Sequence, residues 1–350
     1  MLRLSVFFEV CITVVVLMLN VMEYANAANY PMPSGDNSIV GNIQVISIVN
    51  PDLTLLDIAR HYDLGYDEIT RANPEIPTWV PKIGSHITIP TEFILPPAPL
   101  QGIIINIPQR RLFYFPKPDQ QQITQVYTYP ISIAREGWFT PLGQTSIIAK
   151  HRDPAWFVPK SILEEHRNNG EPDFPDYFPP GPNNPMGMLA LQTGFPAIFI
   201  HGTNKPWGIG MRTSHGCLHL YPEDAAQLFE MVSVGTPVRI IDAPITIGKL
   251  DSALYMSASK PIKEYTNTQS ILTRATSALI NYSNHQMQAR TTKIDWSRLQ
   301  DTVKDGNILP TPISQGTLSL KEKIAGIKPQ PYAYNPYGVN ANNAVPPDAP

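Results

Sequence analysis

His201-Gly202-Thr203-Asn204-Lys205-Pro206-Trp207-Gly208-Ile209-Gly210-Met211-Arg212-Thr213-Ser214-His215-Gly216-Cys217-Leu218-His219 is the stretch from which the rest of the chain can be read. Three of its histidines stand within sixteen residues of one cysteine. The apolar run Ala197 to Ile200 before it predicts a strand that carries His201 at its end, where a side chain can project into a cleft. The glycine-containing loop that follows can fold back and bring His201 to Cys217. A thiol of ordinary pKa, about 8.5, is mostly protonated at neutral pH, and a neighbouring imidazole can take its proton. Such a base is expected within about 3 Å of sulfur, oriented through its other ring nitrogen. Gly216 leaves room for a substrate backbone, and the amides of Gly216 and Cys217 are candidate donors to the oxyanion of a tetrahedral intermediate. These parts serve acyl transfer through a thioester.

The opposite end of the sequence sets the compartment. Arg3, the apolar run Val10 to Met22 and the small residues of Ala25-Asn26-Ala27 read as a cleavable export signal over residues 1–27, with Glu9 as its one blemish. The apolar run is short for a bilayer span. Of the two cysteines, Cys11 falls in this leader, so the exported protein carries Cys217 as a single thiol with no intramolecular disulfide to make. The net charge of −3 argues against nucleic acid as a partner. The 37 prolines, about twice the usual share, predict a loop-rich surface with extended linkers.

Between these ends the chain divides. Residues 28–42 look like a leader to the first unit. In 43–91, Gln44 to Val49 alternates as a strand, Asp52 to Tyr62 and Tyr66 to Asn73 have helical spacing, and Gly84 to Pro90 returns as a strand. This βααβ order, with Leu53-Thr54-Leu55, Ala72-Asn73-Pro74 and Ile87-Thr88-Ile89-Pro90, resembles the LysM domain, which implies binding to the N-acetylglucosamine-containing glycan of peptidoglycan. Residues 92–100, with Pro96, Pro97 and Pro99, read as a stiff linker. In 101–243 a hairpin is expected from Gly102 to Phe115, with further strands at Gln125–Ile133, Thr145–Ala149, Ala197–Ile200 and Pro237–Ile241. A helix is expected at Pro222–Val232, and a short one at Lys160–Asn168 inside a long excursion, Pro154 to Pro185, packed over the site. Residues 244–327 read as partly helical, and 328–350, rich in Pro, Asn and Ala, as disordered. The fold class is α+β: a small βααβ unit, then a β-rich domain of mixed sheets with few helices.

The His201-Gly202 pair, the sixteen-residue step to Cys217 and the Ser214-His215-Gly216-Cys217 run resemble the YkuD-type L,D-transpeptidase domain of the ErfK/YbiS kind, as do the turns Thr140-Pro141-Leu142-Gly143 and Asn184-Pro185-Met186-Gly187. The resemblance implies Cys217 as nucleophile, His201 as general base and the Gly202 carbonyl as its orienter. It places His215 and Gly216 at the acyl pocket, and Thr203, Arg212, Ser214 and His219 at the substrate, with no cofactor or metal. Its reaction is attack on the L-centre acyl carbon of a tetrapeptide stem with release of D-alanine. The acyl group then passes to an amine, either of another stem to give a 3–3 cross-link or of a lysine on an outer-membrane lipoprotein. The location implied is the periplasm. One position departs from the family, which usually has arginine or asparagine two residues after the cysteine where this chain has His219; Arg212 is a candidate to compensate.

Three other readings compete. Hydrolysis by the same pair would make an L,D-carboxypeptidase, and loss of activity would leave a LysM wall-binding scaffold. His215, Cys217 and His219 also alternate, so on an extended segment they would face one way and, with His201, offer four zinc-type ligands.

Overall fold

The computed structural model describes residues 28–118, 123–265, 269–285 and 291–332. The expected export signal, 1–27, lies outside them, as do residues 333–350 of the expected disordered tail. Among the described residues no helix is long and apolar enough to cross a membrane.

A nine-stranded mixed sheet forms the spine, in the order Ala28–Pro31, Gln125–Pro130, Arg111–Phe115, Gly102–Asn106, Pro237–Ile241, Gly143–Arg152, Leu189–Thr193, Phe199–His201 and Leu218–His219. The central strands explain how its two faces are used. Ile103, Ile104 and Ile105 are all fully buried, as are Leu112 and Phe113, and successive side chains of a strand point to opposite faces. Ile103, Ile105 and Leu112 pack with Ala225, Leu228 and Phe229 of the helix Pro222–Met231. Ile104, Phe113 and Phe115 instead join the core of the N-terminal unit, among Ile48, Leu55, Ile58, Ile69 and Ile87. The N-terminal unit is therefore the second layer over the back of the sheet.

That unit has the expected βααβ order: strand Gln44–Ile48, helices Leu55–His61 and Tyr66–Ala72, and strand His86–Ile89. Thr54 and Asp57 form a capping box at the first helix. The expectations around the unit need correcting. Residues 28–42 contribute two strands, Ala28–Pro31 on the main sheet and Ile39–Gly41 paired with Glu92–Ile94. The proposed linker accordingly begins as a strand with Phe93 and Leu95 buried, because apolar residues there fill the gap between the two layers. The start of the expected tail, Gln330–Tyr332, adds a third, parallel strand beside Gln44–Ile48, and Tyr332 packs against Tyr62 and His61. The described residues within 244–327 include a hairpin, Ile245–Leu250 with Ala253–Ala258, covered by helices Ile271–His285 and Trp296–Asp305 around a core of their own.

Polar groups are buried where the two layers meet. Arg111, 1% exposed, donates to Glu68 Oε1 and Oε2 at 2.7 Å each, to the Asp63 carbonyl at 2.8 Å and to Thr128 Oγ1 at 3.1 Å. Its guanidinium lies 4.1 Å from the centre of the Phe93 ring. Asp63 and Asp224, from opposite layers, are buried beside it, and both oxygens of Asp224 lack a hydrogen-bond partner. Burial first, then the charge of its acidic neighbours, holds each of these carboxyls above the usual carboxylate range.

Two predictions follow from this interface. Arg111→Met leaves the Glu68 carboxylate buried without its cation and is expected to cost about 3–5 kcal/mol in denaturant unfolding, part of it recovered by Glu68→Gln in the same chain. Full stability in the single variant would show that the pair is dispensable. The raised carboxyls contribute stability that is complete at low pH and lost as pH rises through their folded-state range. Asp224→Asn is therefore expected to raise the melting temperature more at pH 8 than at pH 5; an equal change at both values would contradict a proton held in this pair.

Candidate active site

The strand Phe199–His201 lies parallel to Leu218–His219, with Ile200 opposite Leu218 and His201 opposite His219. Ile200 and Leu218 point into the core. Alternation therefore turns His201 and His219 to the other face, and Cys217, one residue before Leu218, goes with them. All three line one cleft of about 1700 Å³, as do Thr203, Ser214 and His215. Cys217 stands two residues before His219, the residue opposite His201, so thiol and imidazole line the same cleft.

The ring of His201 has a defined role for each nitrogen. Its Nδ1 sits 2.7 Å from the Gly202 carbonyl. A carbonyl can only accept, so Nδ1 carries the proton and Nε2 keeps its lone pair. Burial holds His201 down to about 4, so the ring is neutral at pH 7. The thiol of Cys217 is half-buried, and its hydrogen bond goes to the Ala197 carbonyl at 3.5 Å instead of to His201. Burial pushes it up to about 11. Burial therefore favours the neutral form of both thiol and imidazole. Desolvation without a countercharge is the reason.

The neighbouring positions divide. Gly216 has φ +127, and a Cβ there would meet Ile198 Cδ1 and the Phe139 carbonyl at 3.2 Å, so the turn into Cys217 requires glycine. The Gly216 amide donates to Ser214 Oγ at 3.2 Å, and that hydroxyl donates to the Cys217 carbonyl at 2.5 Å. In this state the Gly216 amide is spent on shaping the loop and is not offered to an oxyanion. Thr203 Oγ1 accepts from the Lys205 amide at 3.0 Å. His219 stacks obliquely on the base, ring centres 4.6 Å apart, and burial followed by the influence of His201 and His215 keeps it well below its ordinary value. Arg212 does not line the cleft: it donates to the Ala134 carbonyl at 3.0 Å and pairs with Glu264 at 2.6 Å, so it cannot stand in for His219. Among the described residues no three His, Cys, Asp or Glu side chains are placed to hold a metal ion.

The loop between His201 and Cys217 is held from outside. A Cβ on Gly210 would fall 2.3 Å from the Tyr66 amide nitrogen and 2.5 Å from Gly65 Cα. Backbone meets backbone there, and the Tyr66 amide donates to the Ile209 carbonyl at 2.9 Å. The cleft itself is shared: Thr54, Leu56, Asp57, Arg60 and the exposed Trp79 of the N-terminal unit form part of its wall. Sequence reasoning missed Arg135, Trp138 and Glu165, which surround His215. Arg135 and Trp138 flank the turn that begins Thr140-Pro141 and were legible as a charge and an aromatic at a turn, whereas Glu165 reaches the site only through the fold.

A model of the YkuD family, the L,D-transpeptidase catalytic domain, matches residues 101–240. The protein named "Probable L,D-transpeptidase YbiS" of Escherichia coli (strain K12) is 38% identical over 241 residues, which are 68% of this chain and 77% of that protein. The chain belongs to the YkuD L,D-transpeptidase family. "Probable L,D-transpeptidase ErfK/SrfK" of the same strain is 32% identical over 301 residues, covering 84% of this chain and 93% of its own length. "Probable L,D-transpeptidase YcfS" is 35% identical over 245 residues, 69% and 75% of the two chains. Membership of this family makes the chain an acyltransferase.

The neutral resting pair has a kinetic signature. Alkylation of Cys217 by iodoacetamide, followed by mass spectrometry, is expected to accelerate about tenfold per pH unit between pH 7 and 10, as the small thiolate fraction grows. A rate flat across that range would mean that the thiolate is already formed.

Proposed function

We propose that this chain is an exported, cysteine-dependent L,D-transpeptidase of the periplasm, acting on tetrapeptide stems of peptidoglycan. The observation that carries the reading is His201: its Nδ1 proton is tied to the Gly202 carbonyl, and its side chain lines the same cleft as the Cys217 thiol. In the acylation step Sγ bonds to the L-centre carbonyl carbon while its proton passes to Nε2. The C–N bond then breaks, D-alanine leaves as an amine with that proton, and a thioester remains. An acceptor amine bonds to the thioester carbon and gives a proton to Nε2; the C–S bond breaks, and that proton returns to Sγ to restore the thiol. Because thiol and imidazole start neutral, proton removal accompanies attack, which protects the sulfur until a substrate fills the cleft.

The βααβ unit is read as a LysM module holding the glycan strand. Its support is the sequence resemblance together with the position of Trp79, 59% exposed on the wall of the cleft that contains Cys217. An exposed indole offers a flat apolar face to the C–H groups of a sugar ring. A glycan lying there would bring its own stem peptides toward the thiol.

Incubation with disaccharide-tetrapeptide, with products read by mass spectrometry, tests the reading and identifies the acceptor. Loss of D-alanine with formation of dimer, of a lipoprotein-linked species, or of tripeptide distinguishes a stem amine, a lysine amine and water. Cys217→Ala is expected to abolish turnover, and His201→Gln to lower kcat by about 10²–10⁴-fold. Intact tetrapeptide in the presence of a Cys217 that iodoacetamide readily labels would refute the activity.

A further inference from the structure

At the wall of the cleft, Arg135, Trp138 and His215 surround a carboxylate, Glu165, that has no part in thioester chemistry. Nε2 of His215 lies 2.8 Å from Glu165 Oε2, and the Arg135 guanidinium contacts both that oxygen and the His215 ring. Trp138 Nε1 donates to the other Glu165 oxygen at 3.4 Å, and its ring meets His215 edge-on with centres 4.7 Å apart. A carboxylate is thus gripped by a cation, an imidazole and an indole N–H, starting two residues from Cys217. Arg135, Trp138 and His215 all line the cleft.

The gripped carboxylate is the anomalous member. Arg135 and Trp138 lie on the turn that leads to Thr140, and His215 lies on the motif loop. Glu165 comes from the helix Lys160–Asn168 in the long excursion, a helix whose buried side is Ile162. Nothing else in that helix requires an acid at this point. The fork of Arg135 is also under-used: Nη2 makes the contacts, and the buried Nε has no hydrogen-bond partner. A guanidinium can hold a carboxylate through two parallel N–H donors, so the resting contact leaves binding capacity unspent. Burial first, then Arg135, keeps His215 below its ordinary value, and its Nε2 faces both Glu165 Oε2 and the Arg135 guanidinium.

We infer that Arg135, Trp138 and His215 form a carboxylate-binding subsite for the stem peptide, and that Glu165 is its resting occupant, displaced when substrate enters. This rests on the acyl-transfer reading above. A tetrapeptide stem ends in the α-carboxylate of its leaving residue, three bonds beyond the attacked carbonyl carbon. A diamino acid at the third position carries another on its side chain. Either lies within reach of a subsite that begins beside the nucleophile. Exchanging one carboxylate for another keeps the half-buried guanidinium neutralised throughout, so binding avoids the cost of an unpaired charge. The same exchange releases the excursion 154–185 from its anchor at His215.

The test measures D-alanine release, or release of its carboxamide, from three substrates. These are disaccharide-tetrapeptide, its C-terminal carboxamide and its third-residue side-chain amide. One amide is expected to raise KM about 10–100-fold with kcat little changed, the range of a charge-assisted hydrogen bond, and which amide does so identifies the carboxylate. Arg135→Gln is expected to raise KM for the parent substrate by a similar factor and to erase its advantage over that amide, while Glu165→Gln lowers KM several-fold. If wild-type enzyme turns over all three substrates alike, the subsite is refuted while the transferase reading stands. If it releases nothing from any of them, the transferase reading itself falls and takes the subsite with it. Should Arg135→Gln fail to fold, the three substrates with wild-type enzyme still decide the question.

Discussion

A parallel pair of strands cannot be joined by a tight turn, and everything distinctive in this site follows from that constraint. His201 and His219 face each other across such a pair, so the chain between them must cross over. In most α/β units a helix makes that crossing. Here it is made by a segment with a 3₁₀ turn, Pro206–Gly208, and a short strand, Arg212–Ser214, that runs parallel to Ile133–Ala134. The N-terminal unit adds a further contact, with Gly210 set against Gly65 so closely that neither position has space for a side chain. The N-terminal unit therefore helps to position the catalytic loop whatever it binds.

That dependence explains the shared core behind the sheet. A module on a flexible tether would forgo the close Gly210–Gly65 contact. Instead Ile104, Phe113 and Phe115 reach out of the catalytic sheet into the N-terminal unit, and Arg111 crosses the same boundary to Glu68. Burying this ion pair brings little net stability by itself, but removing either partner would strand the charge of the other. The carboxyls of Asp63 and Asp224 make the same boundary sensitive to proton concentration.

Within the cleft, desolvation decides the state of the chemistry. Burial favours the neutral form of both thiol and imidazole, so sulfur keeps its proton at rest. Around His215, at the wall of the same cleft, Arg135 and Glu165 neutralise each other. A reactive sulfur kept protonated and an anion site kept filled are two ways for an empty cleft to remain inert.

Much of this was legible in the residues themselves. The alternation and helical spacing between Gln44 and Pro90 determined the βααβ order, and the proline and glycine pattern placed the helix Lys160–Asn168 inside its excursion. The His201 to Cys217 spacing singled out the site, because thiol, imidazole and glycine are chemically scarce in that combination. Local pattern could not reveal partners distant in sequence. Phe93, Leu95 and Tyr332 are apolar residues in segments that read as linker or tail, and only the packed layers show the gap they fill. Arg212 and Glu165 exchanged their expected importance for the same reason: a side chain's charge is written in the sequence, but its direction is set by the strand or helix that carries it. The sequence alone determined which groups could perform chemistry, and the tertiary structure decided which of them share a face, because burial and orientation depend on contacts between residues far apart in the chain.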